Sequence, residues 1–220
     1  MKVLVVAPHM DDEVLGCGGT IARHVAAGHH VTTCVVANRA YGHRYEPELI
    51  ERERRACQRA QEVLGYQELL FLDLPDERLD AGLIDIITPL EEVLARVRPD
   101  LLYCPHRGDY HQDHRAVFDA VRVACRPHAS PPVRTIRVCE SPSAGDHVCA
   151  CGDWTFRPVL YVNIAEVLEQ KVAALACYEV ESRAWPNPRS PEGLRVWARR
   201  RGMDVGLPAA EAFMIMRDVW

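Results

Sequence analysis

Two short stretches of this chain carry residue types that could bind a metal and move a proton. The first is Pro8-His9-Met10-Asp11-Asp12-Glu13, and the second is His111-Gln112-Asp113-His114. Imidazole nitrogens and carboxylate oxygens are zinc ligands, and a catalytic zinc site uses three of them with one position left to water. His9 and Asp12 are three apart and could face one cation at a turn. His111 and His114 are also three apart and would share a face of a helical turn. Asp113 is placed to hydrogen-bond an imidazole and fix its tautomer. Together the clusters offer three ligands, a spare acid and a spare imidazole, which is what metal-assisted hydrolysis needs. Asp11, Asp12 and Glu13 alone would be explained by the helix dipole, which favours acids at a helix start. That explanation does not cover Pro8-His9 before them, or a second cluster with His106, Arg107 and Asp109 close by.

Both clusters follow runs that read as strands. Residues 2–7 are apolar after Lys2, as in a strand buried on both faces. Residues 14–28 read as a helix closed by Gly28, and residues 30–37 as a second strand. A loop at 38–47 precedes a charged amphipathic helix over 48–64, stopped by Gly65. A short strand at 69–72, a helix over 82–97 and a short buried strand at 101–104 follow, with the second cluster ten residues on. Residues 115–125 read as helical. Strands at 133–140 and 156–162 flank a loop at 141–154. Asn163 can cap a helix over 165–177. The tail carries a helix near 192–201 and an apolar run at 212–216 that fits a strand or a short helix. Beyond Trp185 the chain is rich in Pro, Arg and Trp and is expected to form a cap or a wall. Alternating strands and helices point to an α/β fold with a mostly parallel, doubly wound sheet in one domain, 1–220. Ligands of such sheets bind beyond the carboxyl ends of the strands, where one pocket could collect both clusters.

The motif Pro8-His9-x-Asp11-Asp12-Glu13 after a first strand, with His111-x-Asp113-His114 about a hundred residues later, resembles the PIG-L/LmbE family of zinc-dependent N-acetyl-sugar deacetylases. Gly16-x-Gly18-Gly19 agrees in place. So do Leu74-Pro75-Asp76, Lys171-x-x-Ala174 with Tyr178 and Ser182, and Ala210-Glu211-Ala212-Phe213. The resemblance implies a Rossmann-like three-layer sandwich with a mostly parallel central sheet. It implies removal of the N-acetyl group from an N-acetylglucosamine-type sugar, or cleavage of a bulkier amino-sugar thiol conjugate by an amidase of the same fold. It implies His9, Asp12 and His114 as ligands of Zn2+, with Fe2+ or Co2+ as other ions the donor set accepts. Asp11 would be the general base. His111, as an imidazolium, would face the oxyanion, and Asp113 would orient it and raise its pKa. Arg52 and Asp76 are the substrate-contact candidates, with His43, Arg44, Tyr45 and Trp154 suited to a sugar. The family also implies a homo-oligomer.

Other readings meet specific obstacles. Gly16-Cys17-Gly18-Gly19 is not G-x-G-x-x-G, and the acids in the turn before it would repel a pyrophosphate, which counts against a dinucleotide-binding oxidoreductase. No G-x-S-x-G elbow of a serine hydrolase occurs. A binding protein without activity would not need all five of these acids and imidazoles. A net charge of -5 gives no electrostatic case for nucleic acid or an anionic membrane, and no apolar run approaches the ~20 residues of a spanning helix. Nine scattered cysteines fit free thiols in a reducing cytosol. Cys149-Ala150-Cys151, a pair without a partner pair, reads as a loop feature. The start of the chain shows no signal-peptide pattern, so the expected location is the cytoplasm.

Overall fold

An apolar run with no polar alternation must be covered on both sides, and the run after Lys2 becomes an interior strand of a sheet. The computed structural model describes residues 1–41, 46–142 and 154–220. Strand β1 (Lys2–Ala7) pairs in parallel with β2 (His30–Tyr41) on one side and β4 (Leu101–Cys104) on the other. Strands β3 (Glu68–Asp76) and β5 (Thr135–Cys139) extend the parallel set outward. The sheet closes with β7 (Ala210–Asp218), antiparallel to β5, and β6 (Leu160–Asn163) on its edge, giving the order β3-β2-β1-β4-β5-β7-β6. The ambiguous run at 212–216 is therefore a strand, fixed by pairing with two neighbours rather than by its own pattern.

Alternate residues of β1 serve two cores. Val3, Val5 and Ala7 pack with α1 (Asp12–Ala26), α2 (Pro47–Leu64), α5 (Leu168–Ala176) and α6 (Pro191–Met203). Leu4 and Val6 pack with α3 (Leu83–Val97) and α4 (Gln112–Ala124) on the opposite face. These are the three layers of an α/β sandwich. After β3 the chain crosses from one side of β1 to the other, so the switch point lies between β1 and β4, where a doubly wound sheet binds its ligand.

Helix α1 breaks at Cys17 (φ -151°, ψ 24°). The break frees the amides of Gly19 and Thr20, and the Glu211 carboxylate accepts from both, at 2.9 and 2.7 Å. Lys171 neutralises that carboxylate through Nζ at 2.6 Å and also donates to the Leu15 carbonyl at 2.9 Å. A Cβ on Gly19 would lie 2.8 Å from Ile164, and one on Gly16 would lie 3.1 Å from the Cys139 Cβ. These glycines let α1 lie close against its neighbours, which is why they do not spell a phosphate-binding loop.

Candidate metal and acid–base site

Both clusters sit at helix starts beyond adjacent parallel strands. Pro8 to Asp11 form the turn from β1 into α1, and residues 105–111 lead from β4 into α4. Asp11, at the start of α1, has φ 117°, ψ -26°. A non-glycine residue in this left-handed region is strained, and such strain persists only where the surroundings hold it. Here the Asp11 N–H donates to Glu13 Oε2 at 3.1 Å, and Tyr178 donates its hydroxyl hydrogen to the other Glu13 oxygen. Burial pushes the Glu13 carboxyl up to about 7.

Three donor atoms converge beyond this turn. His9 Nδ1 lies 3.2 Å from Asp12 Oδ2, His114 Nε2 lies 3.1 Å from the same oxygen, and the two nitrogens are 3.3 Å apart. Ligand atoms at 2.0–2.1 Å from one tetrahedral zinc are separated by about 3.3–3.4 Å, so this nearly equilateral triangle fits one ion. His9, Asp12 and His114 thus form a possible metal site, with all three side chains buried.

The far nitrogens of the two imidazoles decide which nitrogen faces the triangle. His114 Nδ1 lies 2.7 Å from Asp109 Oδ2. His9 Nε2 lies 3.1 Å from Asp113 Oδ2 and 3.0 Å from Asp76 Oδ1. Carboxylates accept, so each far nitrogen carries the proton and each near nitrogen keeps its lone pair for a cation. Burial opposes protonation of His114, yet Asp12 and Asp109 push it up to about 9. Burial likewise opposes, but Asp113, Asp12 and Asp76 outweigh it and raise His9. Burial also works against ionising Asp12, whose carboxyl His114 and His9 hold well below the usual range. A pocket that draws protons onto buried imidazoles is one that stabilises a cation at their centre.

Several expectations meet a different geometry. The Asp113 carboxylate does not orient His111. It accepts from the Glu77 and Leu79 amides, at 2.8 and 3.0 Å, and holds His9. His111 instead caps α4, its Nδ1 accepting from the Asp113 N–H at 3.2 Å. Burial, and then the neighbouring His9 and His114, hold the His111 imidazole below its ordinary value rather than above it. With Nδ1 accepting, the neutral ring carries its proton on Nε2 and is a hydrogen-bond donor. Asp76 is 1% exposed and backs His9 instead of facing a substrate. Arg52 lies exposed on α2. Trp154 is exposed, beneath the Arg107 guanidinium. His43, Arg44, Tyr45 and the Cys149–Cys151 pair lie outside the described residues.

Sequence reading passed over two participants. Asp109 was only one of several polar residues near the cluster. Arg189, from the segment between α5 and α6, places Nη1 3.2 Å from Asp11 Oδ2 and 2.8 Å from Glu181 Oε2. No local motif announces a contact spanning 178 residues.

The family model for GlcNAc-PI de-N-acetylase, PIG-L, matches residues 4–125, more than half of the 220. The chain belongs to the PIG-L family. Both clusters lie inside the matched PIG-L region. Among the relatives, a diacetylchitobiose deacetylase of Thermococcus kodakarensis is 25% identical over 197 residues, covering 81% of this chain and 69% of that one. A 4-oxalmesaconate hydratase of Pseudomonas putida is 25% identical over 207 residues, covering 84% of this chain and 75% of that one. The solved structure of the conserved protein TT1542 from Thermus thermophilus superposes with a TM-score of 0.79 at 26% identity, over 99% of this chain and 96% of that one. That likeness extends over nearly the whole chain, beyond the region the PIG-L model matches.

Proposed function

We propose that this PIG-L protein is a zinc-dependent N-deacetylase that removes acetate from an N-acetylglucosamine-type sugar or glycoconjugate and leaves a free amine. The observation that carries the reading is the triangle of His9 Nδ1, Asp12 Oδ2 and His114 Nε2, with both imidazoles turned by carboxylates so that their lone pairs face inward. Two imidazoles and one carboxylate suit Zn2+, and Fe2+ or Co2+ as well. A bound dication would supply Lewis acidity to the acetamide carbonyl and acidify a water molecule.

The chain's own residues divide the remaining work. Asp11 stands next to a ligand yet pairs with Arg189 rather than with the triangle, so its carboxylate is placed to take a proton from the attacking water. The water oxygen joins the carbonyl carbon, the C–N bond breaks, and the proton passes from Asp11 to the departing amine. His111, its ring centroid 4.8 Å from that of His9 and 5.2 Å from that of His114, donates its Nε2 hydrogen to the oxyanion as a neutral imidazole. Asp113, Asp76 and Asp109 hold the two ligand imidazoles. The reading extends to one catalytic domain in a cytoplasmic homo-oligomer. Among the described residues no helix is long and apolar enough to cross a membrane, and gel filtration of the purified protein tests the assembly.

Chelator-stripped protein, assayed for acetate and amine release from N-acetylglucosamine and N,N'-diacetylchitobiose, should be inactive and regain activity with one equivalent of zinc. Unchanged turnover after stripping would sink the metal reading. Hydration of an unsaturated carboxylate with no amide cleavage would overturn the deacetylase reading and leave the metal site standing.

A further inference from the structure

Asp11 is held at both of its ends, and both holds lead back to one turn. Its backbone N–H is fixed by Glu13 Oε2, and Glu13 is in turn bonded by the Tyr178 hydroxyl. Its side chain meets Arg189 Nη1, which also meets Glu181 Oε2. Tyr178 and Glu181 belong to the same turn after α5, where the Glu181 N–H donates to the Tyr178 carbonyl at 3.1 Å. The circuit Asp11–Arg189–Glu181–Tyr178–Glu13–Asp11 is closed, and Asp11, Glu13, Tyr178 and Glu181 are each at most 4% exposed.

The segment that presents Arg189 is anchored independently. The Arg189 N–H donates to Asn187 Oδ1 at 2.9 Å, and its carbonyl accepts from the Arg183 N–H at 3.3 Å. Ser190 caps α6 through the Gly193 N–H at 2.9 Å. A Cβ on Gly193 would sit 2.6 Å from the Pro188 carbonyl oxygen, so the loop lies tight against the start of the helix.

Arginine–carboxylate pairs frequently form two parallel N–H bonds. Arg189 does not. One nitrogen, Nη1, is shared between two carboxylates, while Nε is buried with no hydrogen-bond partner among the described residues. That geometry fixes the position of Asp11 relative to Glu181 and leaves part of the fork unused. We propose that Arg189, held by Glu181, is a positioning residue that fixes the Asp11 carboxylate in the direction needed for proton transfer. The inference rests on the reading of Asp11 as the proton acceptor.

The test uses the full-length, metal-loaded protein, with the diacetylchitobiose and N-acetylglucosamine probes assayed for amine release. Displacing a reacting group by about 1 Å costs on the order of 100-fold in rate. R189A should therefore lose about 100-fold in kcat, with KM and metal content unchanged. Added guanidinium ion should restore part of that loss in R189A and none in D11N. R189K should recover part of it too, because only one nitrogen makes both contacts. A higher KM with parental kcat would place Arg189 on the substrate and overturn the proposal. So would metal loss in R189A, or a kcat loss that neither guanidinium nor lysine recovers. D11N separates the two levels. If D11N turns over near the parental rate, the reading of Asp11 fails. If D11N is inactive and R189A is not impaired, the positioning role alone fails. Should neither probe turn over, melting temperatures of R189Q, D11N and the double variant decide. Non-additive shifts support the pairing, and additive shifts overturn it.

Discussion

Two buried ionic clusters of this protein use similar residues to opposite ends. Around Lys171 and Glu211 the charges are closed: one ammonium meets one carboxylate and a carbonyl, and the carboxylate's two oxygens take two helix amides. Around His9 and His114 the acids Asp12, Asp76, Asp109 and Asp113 converge on two imidazoles. A closed cluster locks a kinked helix to a strand. An acid-rich one stays receptive to a positive ion. With the triangle read as a metal site, as proposed, burial and charge do not by themselves separate structural from functional groups in this fold; whether the charges already balance does.

The largest effect should come from breaking the receptive cluster at its triangle. His114→Ala removes one of the inward nitrogens and should strip metal from the purified protein and reduce turnover by at least about a thousandfold, since a third ligand is needed for a stable site. His111→Ala should keep the metal while still lowering kcat. Metal analysis of the two variants in parallel checks the assignment. Metal loss in His111→Ala with retention in His114→Ala would favour the other convergent set, His9, His111 and Asp113. The geometry disfavours that set, because the Asp113 carboxylate is already engaged by two amides and His9.

Breaking the closed cluster should do the reverse. Lys171 and Glu211 are both 4% exposed. Lys171→Met leaves the Glu211 charge buried without its counter-ion, a loss of about 3–5 kcal/mol. In a chain of this size that is roughly a 10 °C fall in melting temperature. Metal content of the folded fraction should stay at the parental value. Adding Glu211→Gln should return part of the lost stability by removing the orphaned charge. A K171M protein that melts normally but binds no metal would erase the distinction between the clusters.

How much of this was legible in the sequence follows the same division. The continuous apolar runs at 2–7 and 101–104 placed β1 and β4, and the acids and imidazoles that follow within about ten residues pointed to the candidate site, because each cluster is local in sequence. The triangle needed only those two places. The partners of the ligands were not legible. Asp113 stands beside His111 in sequence, yet its carboxylate reaches His9, 104 residues away, because the β3-to-α3 connection brings the Glu77 and Leu79 amides to it. Arg189 lies in a loop whose sequence has no periodicity to read. β7 was ambiguous because five apolar residues satisfy either a strand or a helix until a neighbouring edge selects one.

A third cluster, built on histidine, sharpens the comparison, because its contacts are with a histidine and a tyrosine in place of acids. His24 on α1 faces His29 Nδ1 at 2.8 Å and the Tyr103 hydroxyl at 2.9 Å, and Arg137 donates to that hydroxyl at 2.9 Å. The Tyr103 oxygen accepts from Arg137 and keeps its one hydrogen to give to His24 Nε2, an arrangement that suits a neutral imidazole. Burial, then His29 and Arg137, push His24 down to about 4, whereas carboxylates push His114 up to about 9. In the unfolded chain His24 titrates near about 6.5. Above that pH neither state binds the proton and the full stability is present. Between about 6.5 and 4 the unfolded state binds more protons, so stability falls as the pH falls, by at most about 3 kcal/mol. Below about 4 both states are protonated and this contribution is flat. His24→Gln keeps an acceptor for Tyr103 and removes the titration. Urea melts at about pH 7.5 and about pH 4.5, on either side of most of that window, should then show a smaller acid-side loss in the variant than in the parent. An identical loss in both would mean that the imidazole of His24 is already charged in the native protein, and that contacts free of carboxylates do not by themselves keep a buried histidine neutral here.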